Sequence, residues 1–247
     1  MLSSLSVVIP AYNEEKRLPL SLEKIAAHLN EAPERPAEIL VVNDGSSDGT
    51  AAAARRLVSK LERPNLTLRV LDNPGNRGKG YSVRHGMLEA RYDWLLFTDA
   101  DLSAPIEELS ELARAVSTNG YDVAIGSRAL DRSLIGVHQP WFRETLGRVF
   151  NLAVRLTTGL RFADTQCGFK LFRREAARKI FSRQLIERFG FDVEILFLAK
   201  KLGFRVIEVP VRWDHVEGTK VSTMAGADAF LDGWRVRRND WAGKYDK

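Results

Sequence analysis

The sequence predicts an α/β protein with a mostly parallel central sheet and helices on both faces. Three observations carry this expectation. Short apolar, β-branched runs alternate with segments of helical period through the first half, the pattern of βαβ units whose crossover helices pack back on the sheet. Clusters of Gly, Asn, Asp and Ser follow the runs, where a strand must turn into a helix. The chain has 247 residues, 45% of them hydrophobic, enough to bury a full core. No repeat, low-complexity tract or linker interrupts it, so one domain over 1–247 is expected.

The elements follow in order. "LSVVIPAYN" reads as a strand, and residues 15–30 as a helix with Leu18, Leu22, Ile25, Ala26 and Leu29 on one face. "AEILVVND" is a β-branched strand ending at Asp44. "GSSDGT" then turns the chain, with Ser47 or Asp48 set to cap a helix running to about Leu61. "LTLRVLD" is a strand, "NPGNRGKG" a Gly-rich loop, "YSVRHGMLEA" a helix and "YDWLLFTDAD" the next strand.

After "YDVAIGSR" the character changes. Residues 129–139 lack a clean period and read as a long loop of the kind that forms lids. Residues 140–159 read as an amphipathic helix with Phe142, Leu146, Val149, Phe150, Ala153, Leu156 and Leu160 in one sector and Arg148 and Arg155 opposite. "TQCGFKLFRR" alternates as a strand or hairpin, "FDVEILFLAKKLG" is helical and "FRVIEVPVRW" is a strand. A last amphipathic segment, 224–241, mixes Phe230, Leu231, Trp234 and Trp241 with Arg235, Arg237 and Arg238.

Composition narrows the classes of function. No run of 18 uncharged apolar residues is present, so no transmembrane helix is expected. The start lacks the basic region of a secretory signal, and Cys167 is a single cysteine, which fits a reducing, cytoplasmic setting. Charge is uneven. Residues 1–123 carry 14 Lys and Arg against 18 Asp and Glu, whereas residues 124–247 carry 23 against 14. The second half is therefore where an anionic partner would dock. No zinc spacing, helix-turn-helix pattern or aromatic RNA-binding signature accompanies the charge, which argues against nucleic acid. A phosphorylated substrate and an anionic membrane surface both remain open.

Ligands of parallel α/β sheets bind at the carboxyl ends of the strands. Asn13, Asp44, the loop 75–80 and the pair Asp99 and Asp101 all fall there. Two carboxylates two residues apart on an extended segment leave the same face. They suit Mg²⁺ or Mn²⁺ shared with phosphate oxygens; the other reading is a solvated strand end capping the helix that starts near Pro105. Asp44 suits the N3–H and hydroxyls of a nucleoside. "GNRGKG" offers backbone N–H groups and Lys79 near a diphosphate, although its spacing matches neither a Walker A nor a Rossmann loop. Cys167, beside apolar residues, reads as a small buried side chain rather than a nucleophile.

Together "VVIPAYNEE", "VVNDGSSDGT", "NRGKG" and "FTDADLS" resemble the nucleotide-sugar-binding half of glycosyltransferase family 2, which has the GT-A fold. "DTQCGFKLFRREAA", "FGFDVEILFLAKKLG" and "VPVRWDHVEGTKVS" resemble the polyprenyl-phosphate sugar synthases, most of all the dolichyl-phosphate glucosyltransferase group. The resemblance spans residues 7–222. It implies one catalytic domain: a nucleotide-sugar half (1–123), an acceptor half (124–223) and an amphipathic tail (224–247). It also implies inverting transfer of glucose from UDP-glucose to a polyprenyl phosphate with Mg²⁺ or Mn²⁺, on the cytoplasmic face of a membrane. Another donor, such as GDP-mannose or UDP-GlcNAc, a soluble hydroxyl acceptor, and nucleotide-sugar binding without turnover are the alternatives.

Carried over by position, the resemblance assigns Pro10, Ala11, Tyr12, Glu14 and Asp44 to the uridine, with Lys79 nearby. It sets Asp99 and Ala100 beside the ribose and makes Asp99 and Asp101 the metal ligands. Arg128, Arg212 and Lys220 would take acceptor or donor phosphates; otherwise they are solvated surface cations. Asp192 falls at the reacting centre. A sugar hydroxyl would need it or Glu194 as general base, whereas a phosphate monoester is mostly dianionic at neutral pH and needs none; Asp192 would then orient groups around the acceptor. Glu194 is otherwise a helix N-terminal carboxylate. Related synthases often carry membrane anchors, which these residues do not encode; the segments 140–159 and 224–241 have the basic and aromatic make-up of interfacial helices, the other reading being an apolar face packed on the chain's own core.

Overall fold

A computed structural model describes residues 2–137, 152–215 and 223–246, with side chains from 231 onward in the last stretch. Seven strands form one sheet in the order β3-β2-β1-β4-β7-β5-β8. They are β1 (Leu5–Ala11), β2 (Ala37–Asn43), β3 (Leu66–Asp72), β4 (Trp94–Thr98), β5 (Val123–Ser127), β7 (Phe169–Arg173) and β8 (Val206–Pro210). β1 is central to the first half and pairs in parallel with β2 (Val7 opposite Ile39) and with β4 (Val7 opposite Leu96). Strands β1 and β2 are buried almost throughout, which explains why they read as continuous apolar runs rather than alternating ones.

The break in the parallel pattern is β7. It runs antiparallel between β4 and β5, with Leu96 opposite Leu171 and Ile125 opposite Lys170. Strand period was legible in "FKLF"; strand direction was not.

Helices α1 (Leu18–Asn30), α2 (Thr50–Leu61) and α4 (Leu109–Asn119) contribute to the core on one face. On the other lie α3 (Lys79–Glu89), α5 (152–158), α6 (Arg174–Phe181), α7 (Phe191–Lys201) and α8 (Thr223–Trp241). α3 comes close to the sheet because Gly86 has no side chain; a Cβ there would meet Val8 Cγ1 at 2.4 Å and Val42 Cγ2 at 2.9 Å. The α2 cap residue is Gly49, and neither Ser47 nor Asp48 occupies the cap position. Asp48 nevertheless accepts from Thr50 N at 2.9 Å and so takes up one free donor of the helix end.

Several boundaries differ from expectation. Residues 174–181 form α6, not a continued strand; Ala176, Ala177, Ile180 and Phe181 bury the i, i+1, i+4, i+5 face. Within the expected loop 129–139, Arg132–Leu134 form a 3₁₀ turn and Ile135–Val137 form β6, which pairs in parallel with β9 (Trp213–Asp214). Of the helix expected over 140–159, residues 152–158 are helical, and 138–151 lie outside the described residues. In α5 the core-facing residues are Val154 and Thr158, while Leu152 and Leu156 point outward, Leu156 at 78% exposure. α8 does the same: Val236 and Asp232 are buried while Leu231, Trp234 and Trp241 are exposed. No helix among the described residues is long and apolar enough to cross a membrane.

Candidate active site

A cavity of about 330 Å³ opens where the chain leaves β1, β2 and β4, the place ligands take in parallel α/β sheets. Nine residues assigned to donor binding from the sequence line it: Pro10, Ala11, Tyr12, Glu14, Asp44, Lys79, Asp99, Ala100 and Asp101. Arg17, Asn76, Gly78, Ser82, Arg188 and Phe189 complete the wall.

The loops that carry these residues are laced together. Asn13, at φ +54°, accepts from Ser47 N with Oδ1 at 2.8 Å, and its own N–H donates to Ser46 Oγ at 3.0 Å. Glu14 N donates to Thr50 Oγ1, and the Glu14 carboxylate takes Arg17 in a two-pronged pair at 2.6 and 2.7 Å. Asn is among the residues that tolerate the left-handed region best, so the "YNEE" turn is built into the residue type.

Asp44 is buried, and most of its acceptor capacity is already engaged. Oδ1 accepts from Asn73 Nδ2 and Arg77 N, and Oδ2 from Gly78 N, all at 2.8 to 2.9 Å. The carboxylate shapes the Gly-rich loop from below as well as lining the cavity. Gly78 sits at φ +106°, a conformation that favours glycine.

The acid pair lies beyond the strand, since β4 ends at Thr98. The turn is fixed by Leu102 at φ +50° and by Leu102 N donating to Asp99 O at 3.2 Å. Asp101 Oδ1 accepts from Ser103 N and Oγ, at 3.0 and 2.9 Å; it closes its own turn and does not cap a helix. Asp101 Oδ2 faces Arg17 Nη1 at 3.9 Å, and Asp99 Oδ1 is 2.7 Å from Lys79 Nζ. Gly168 packs directly on Asp99, because a Cβ there would meet Oδ2 at 2.2 Å.

This donor set fits a hard divalent cation. Asp99 and Asp101 lie two residues apart on the cavity wall, and among the described residues no group of three or more Asp, Glu, His or Cys forms a metal cluster. The protein would therefore supply two ligands and leave the remainder to water and phosphate oxygens, as Mg²⁺ sites do.

Behind the cavity lies a second layer of charge. Asp192, in the first turn of α7, is buried and pairs with the fully buried Lys170 of β7. Lys170 Nζ also donates to Cys167 O at 2.7 Å and lies 5.1 Å from the Phe97 ring centre. Burial raises the Asp192 pKa, against the pull of Lys170 and Lys79. Burial alone would depress Lys79, but Asp99 and Asp192 more than offset it, and its pKa lies above the ordinary lysine value. Asp192 thus sits beneath the cavity, off its wall, next to Lys79. Glu194 accepts from Leu185 N, Ile186 N and Tyr245 Oη, a structural assignment.

The expected phosphate cations lie elsewhere. Arg128 is held by Asp164 through Nε and Nη2 at 2.6 and 2.9 Å and lies 5.3 Å from the Trp213 ring centre. Arg212 pairs with the buried Glu108. Arg212 precedes Trp213 in the chain, neither arginine lines the cavity described above, and Lys220 lies outside the described residues. Burial pushes the Cys167 thiol up to about 12, as a core side chain requires.

Arg17, Arg188, Phe189 and Lys170 were not singled out from the sequence. Lys170 left a signal: a lone cation in "GFKLF" among apolar neighbours demands a buried partner. Arg188 left none, because its loop reaches the cavity only through the tertiary fold.

Residues 6–181 match the family described as "Glycosyl transferase family 2". The chain is 41% identical over 242 residues to a dolichyl-phosphate beta-glucosyltransferase of Drosophila melanogaster, covering 92% of this chain and 73% of that one. Its fold is similar to mannosyl-3-phosphoglycerate synthase from Rubrobacter xylanophilus, with a TM-score of 0.66, 19% identity, and coverage of 98% of this chain and 75% of that one. It is also similar to a mannosyltransferase from Pyrobaculum calidifontis in complex with GDP-Man and Mn²⁺, with a TM-score of 0.59, 20% identity, and coverage of 99% and 63%. By this match over most of its length, and with a cavity at the strand ends bordered by the acid pair, the chain belongs to glycosyltransferase family 2 and is a glycosyltransferase of GT-A fold.

Proposed function

We propose that this protein transfers glucose from UDP-glucose, with inversion, to a polyprenyl phosphate of the dolichyl type. The observation that carries the reading is the 41% identity to a dolichyl-phosphate beta-glucosyltransferase over 92% of the chain, joined to a cavity whose lining suits a nucleoside diphosphate. Its volume lies at the lower end of the range for small-ligand sites. Tyr12 presents an aromatic face to the base, and Asp44 anchors the loop against the nucleotide. Asp99 and Asp101 would hold Mg²⁺ or Mn²⁺, which when bound neutralises the departing diphosphate.

The residues then act by positioning and charge. The acceptor phosphate oxygen forms the new bond to the sugar's anomeric carbon, the bond from that carbon to UDP breaks, and UDP leaves with the electron pair. A dianionic phosphate needs no base, so Asp192 serves by holding Lys79 while Lys170 holds Asp192. Arg128 and Arg212 receive the acceptor phosphate on the Trp213 side, and Lys220 is assigned to the same phosphate by the family resemblance alone. Holding the two reactants in register supplies most of the acceleration in such a reaction.

A polyprenyl phosphate stays in its bilayer, so the enzyme must meet it at the surface. Leu152 and Leu156 of α5 and Leu231, Trp234 and Trp241 of α8 are exposed. The two helices touch, since a Cβ on Gly233 would meet Thr157 Oγ1 at 2.3 Å. With Arg235, Arg237 and Arg238 on α8, this is the make-up of an interfacial surface, and peripheral binding to the cytoplasmic face follows from the reading.

The test is release of the nucleoside diphosphate with Mn²⁺ present, with a short-chain polyprenyl phosphate or its free alcohol as acceptor. The donors are UDP-glucose, UDP-galactose, UDP-GlcNAc and GDP-mannose. Selective use of UDP-glucose with the phosphate supports the proposal. Equal use of alcohol and phosphate, or preference for another donor, refutes the corresponding half.

A further inference from the structure

The donor cavity is lined by four carboxylates, Glu14, Asp44, Asp99 and Asp101, and three cations, Arg17, Lys79 and Arg188. Two of the cations are already engaged: Arg17 by Glu14 and Asp101, Lys79 by Asp99. Arg188 differs. It is exposed at the cavity wall, and its guanidinium makes no hydrogen bond or ion pair among the described residues. A cavity with this charge balance repels a free diphosphate. A divalent cation on the acid pair would reverse the excess, and an unengaged guanidinium supplies the directed donors that a point charge lacks.

The backbone under Arg188 is fixed. The loop that carries it lies flat on the Gly-rich loop: Tyr81 N donates to Glu187 O at 2.9 Å, and Gln184 Nε2 donates to Gly80 O at 2.9 Å. Arg77 clasps Glu187 at 2.7 Å, and Glu194 takes the N–H groups of Leu185 and Ile186. The approach depends on glycine. A Cβ on Gly78 would meet Glu187 O at 2.7 Å and Arg188 Cγ at 3.1 Å. Such clamping makes Arg188 a donor set on a rigid mount, and ordered mounts lose little entropy when a ligand arrives. Nothing among the described residues uses the donors; the cavity beside them fits an anion.

We propose that Arg188 binds the diphosphate of the nucleotide that occupies this cavity, and stabilises it as it leaves. The assignment rests on the nucleotide-diphosphate reading given above, and fork-like contact between guanidinium and phosphate oxygens is the geometry it invokes.

The experiment measures binding of UDP, GDP, uridine and inorganic diphosphate to the full chain by titration calorimetry with Mn²⁺ present. Arg188→Ala and Arg188→Lys are compared with wild type; because the side chain makes no bond within the described chain, both keep the fold. Arg188→Ala weakens UDP and inorganic diphosphate by about 10-fold or more, the loss typical of a hydrogen bond to a charged group. It leaves uridine within about twofold, and Arg188→Lys recovers part of the loss. Unchanged UDP affinity in Arg188→Ala, with or without a rise in the KM for polyprenyl phosphate, overturns the assignment. So does equal weakening of uridine and UDP, which marks a role in cavity shape alone. If inorganic diphosphate binds in an Arg188-dependent way but UDP is not preferred over GDP, the uridine donor reading fails and Arg188 stands. If neither anion binds the wild type, both fail.

Discussion

Lys170, buried in β7, and Asp192, buried in the first turn of α7, form an ion pair that joins the sheet to the helix behind the cavity at the strand ends. Breaking it from one side leaves an uncompensated charge away from water. Lys170→Met is expected to lose about 3–5 kcal/mol, read as a lower urea midpoint with an unchanged slope. Adding Asp192→Leu should return much of that stability, but not turnover, because Lys79 then lacks its second acid. A single variant as stable as wild type would show that the pair is not isolated from solvent.

Asp101 is expected to be indispensable for turnover and nearly neutral for folding. Its Oδ1 closes a local turn with Ser103, worth about 1 kcal/mol. Asp101→Asn should lower Mn²⁺-dependent UDP release by about 100-fold or more, in the range seen when a group that stabilises transition-state charge is removed. Chelation with EDTA should abolish release and added Mn²⁺ restore it. Full activity in EDTA would refute the cation site.

The Arg128–Asp164 pair predicts a defined acid response. Burial alone would raise Asp164, but Arg128 outweighs it and holds the carboxyl at about 2, below the ordinary value of 3.8. A depressed carboxylate stabilises the fold above its unfolded pKa and loses that contribution as pH falls through the folded one. Wild type should therefore exceed Arg128→Gln by roughly 2 kcal/mol at pH 7, and the gap should shrink between about pH 4 and pH 2. A gap that does not change with pH would exclude the pair as its source.

Cys167 should be inert in the native state. With the thiol pushed up to about 12 by burial, thiolate is scarce at pH 8, and Sγ sits against Gly126 in the sheet. Ellman's reagent is expected to titrate one thiol in urea and almost none without it. Rapid native modification would contradict this burial.

Gly86 tests the approach of α3 to the sheet. Alanine gains about 1 kcal/mol of helix propensity, yet its Cβ would fall 2.4 Å from Val8 Cγ1. Overpacking of that kind costs about 1–3 kcal/mol, so Gly86→Ala should be destabilised in thermal or urea melts. A raised melting midpoint would show that Val8 gives way freely.

The parts legible in sequence were those written locally. Strands β1 to β4 and helices α1 to α3 announce themselves through period and turn chemistry, and the strand-end positions of Asp44, Lys79, Asp99 and Asp101 follow from that order. What escaped depends on distant partners. Residues 169–173 have the same alternation whichever way they run, so their antiparallel placement between β4 and β5 had no local sign. The apolar sector written on 140–159 suggested a core face, but in α5 the sheet takes Val154 and leaves Leu156 outside. Arg188 meets Gly78 across a sequence gap of more than a hundred residues, and Asp44 spends its oxygens on the loop 73–78.

The inverted strand sets an order of assembly. β4 and β5 never touch as neighbours; each is bonded to β7, which arrives some seventy residues after β4 and over forty after β5. As a nascent chain leaves the ribosome, the first four strands can zip together at once, while β5 must wait as an unjoined edge until residues 169–173 have been synthesised. Such late, long-range closure slows folding. A polypeptide stopped before Phe169 would leave bare the edges of β4 and β5 that β7 covers in the finished sheet, a template for pairing with other chains.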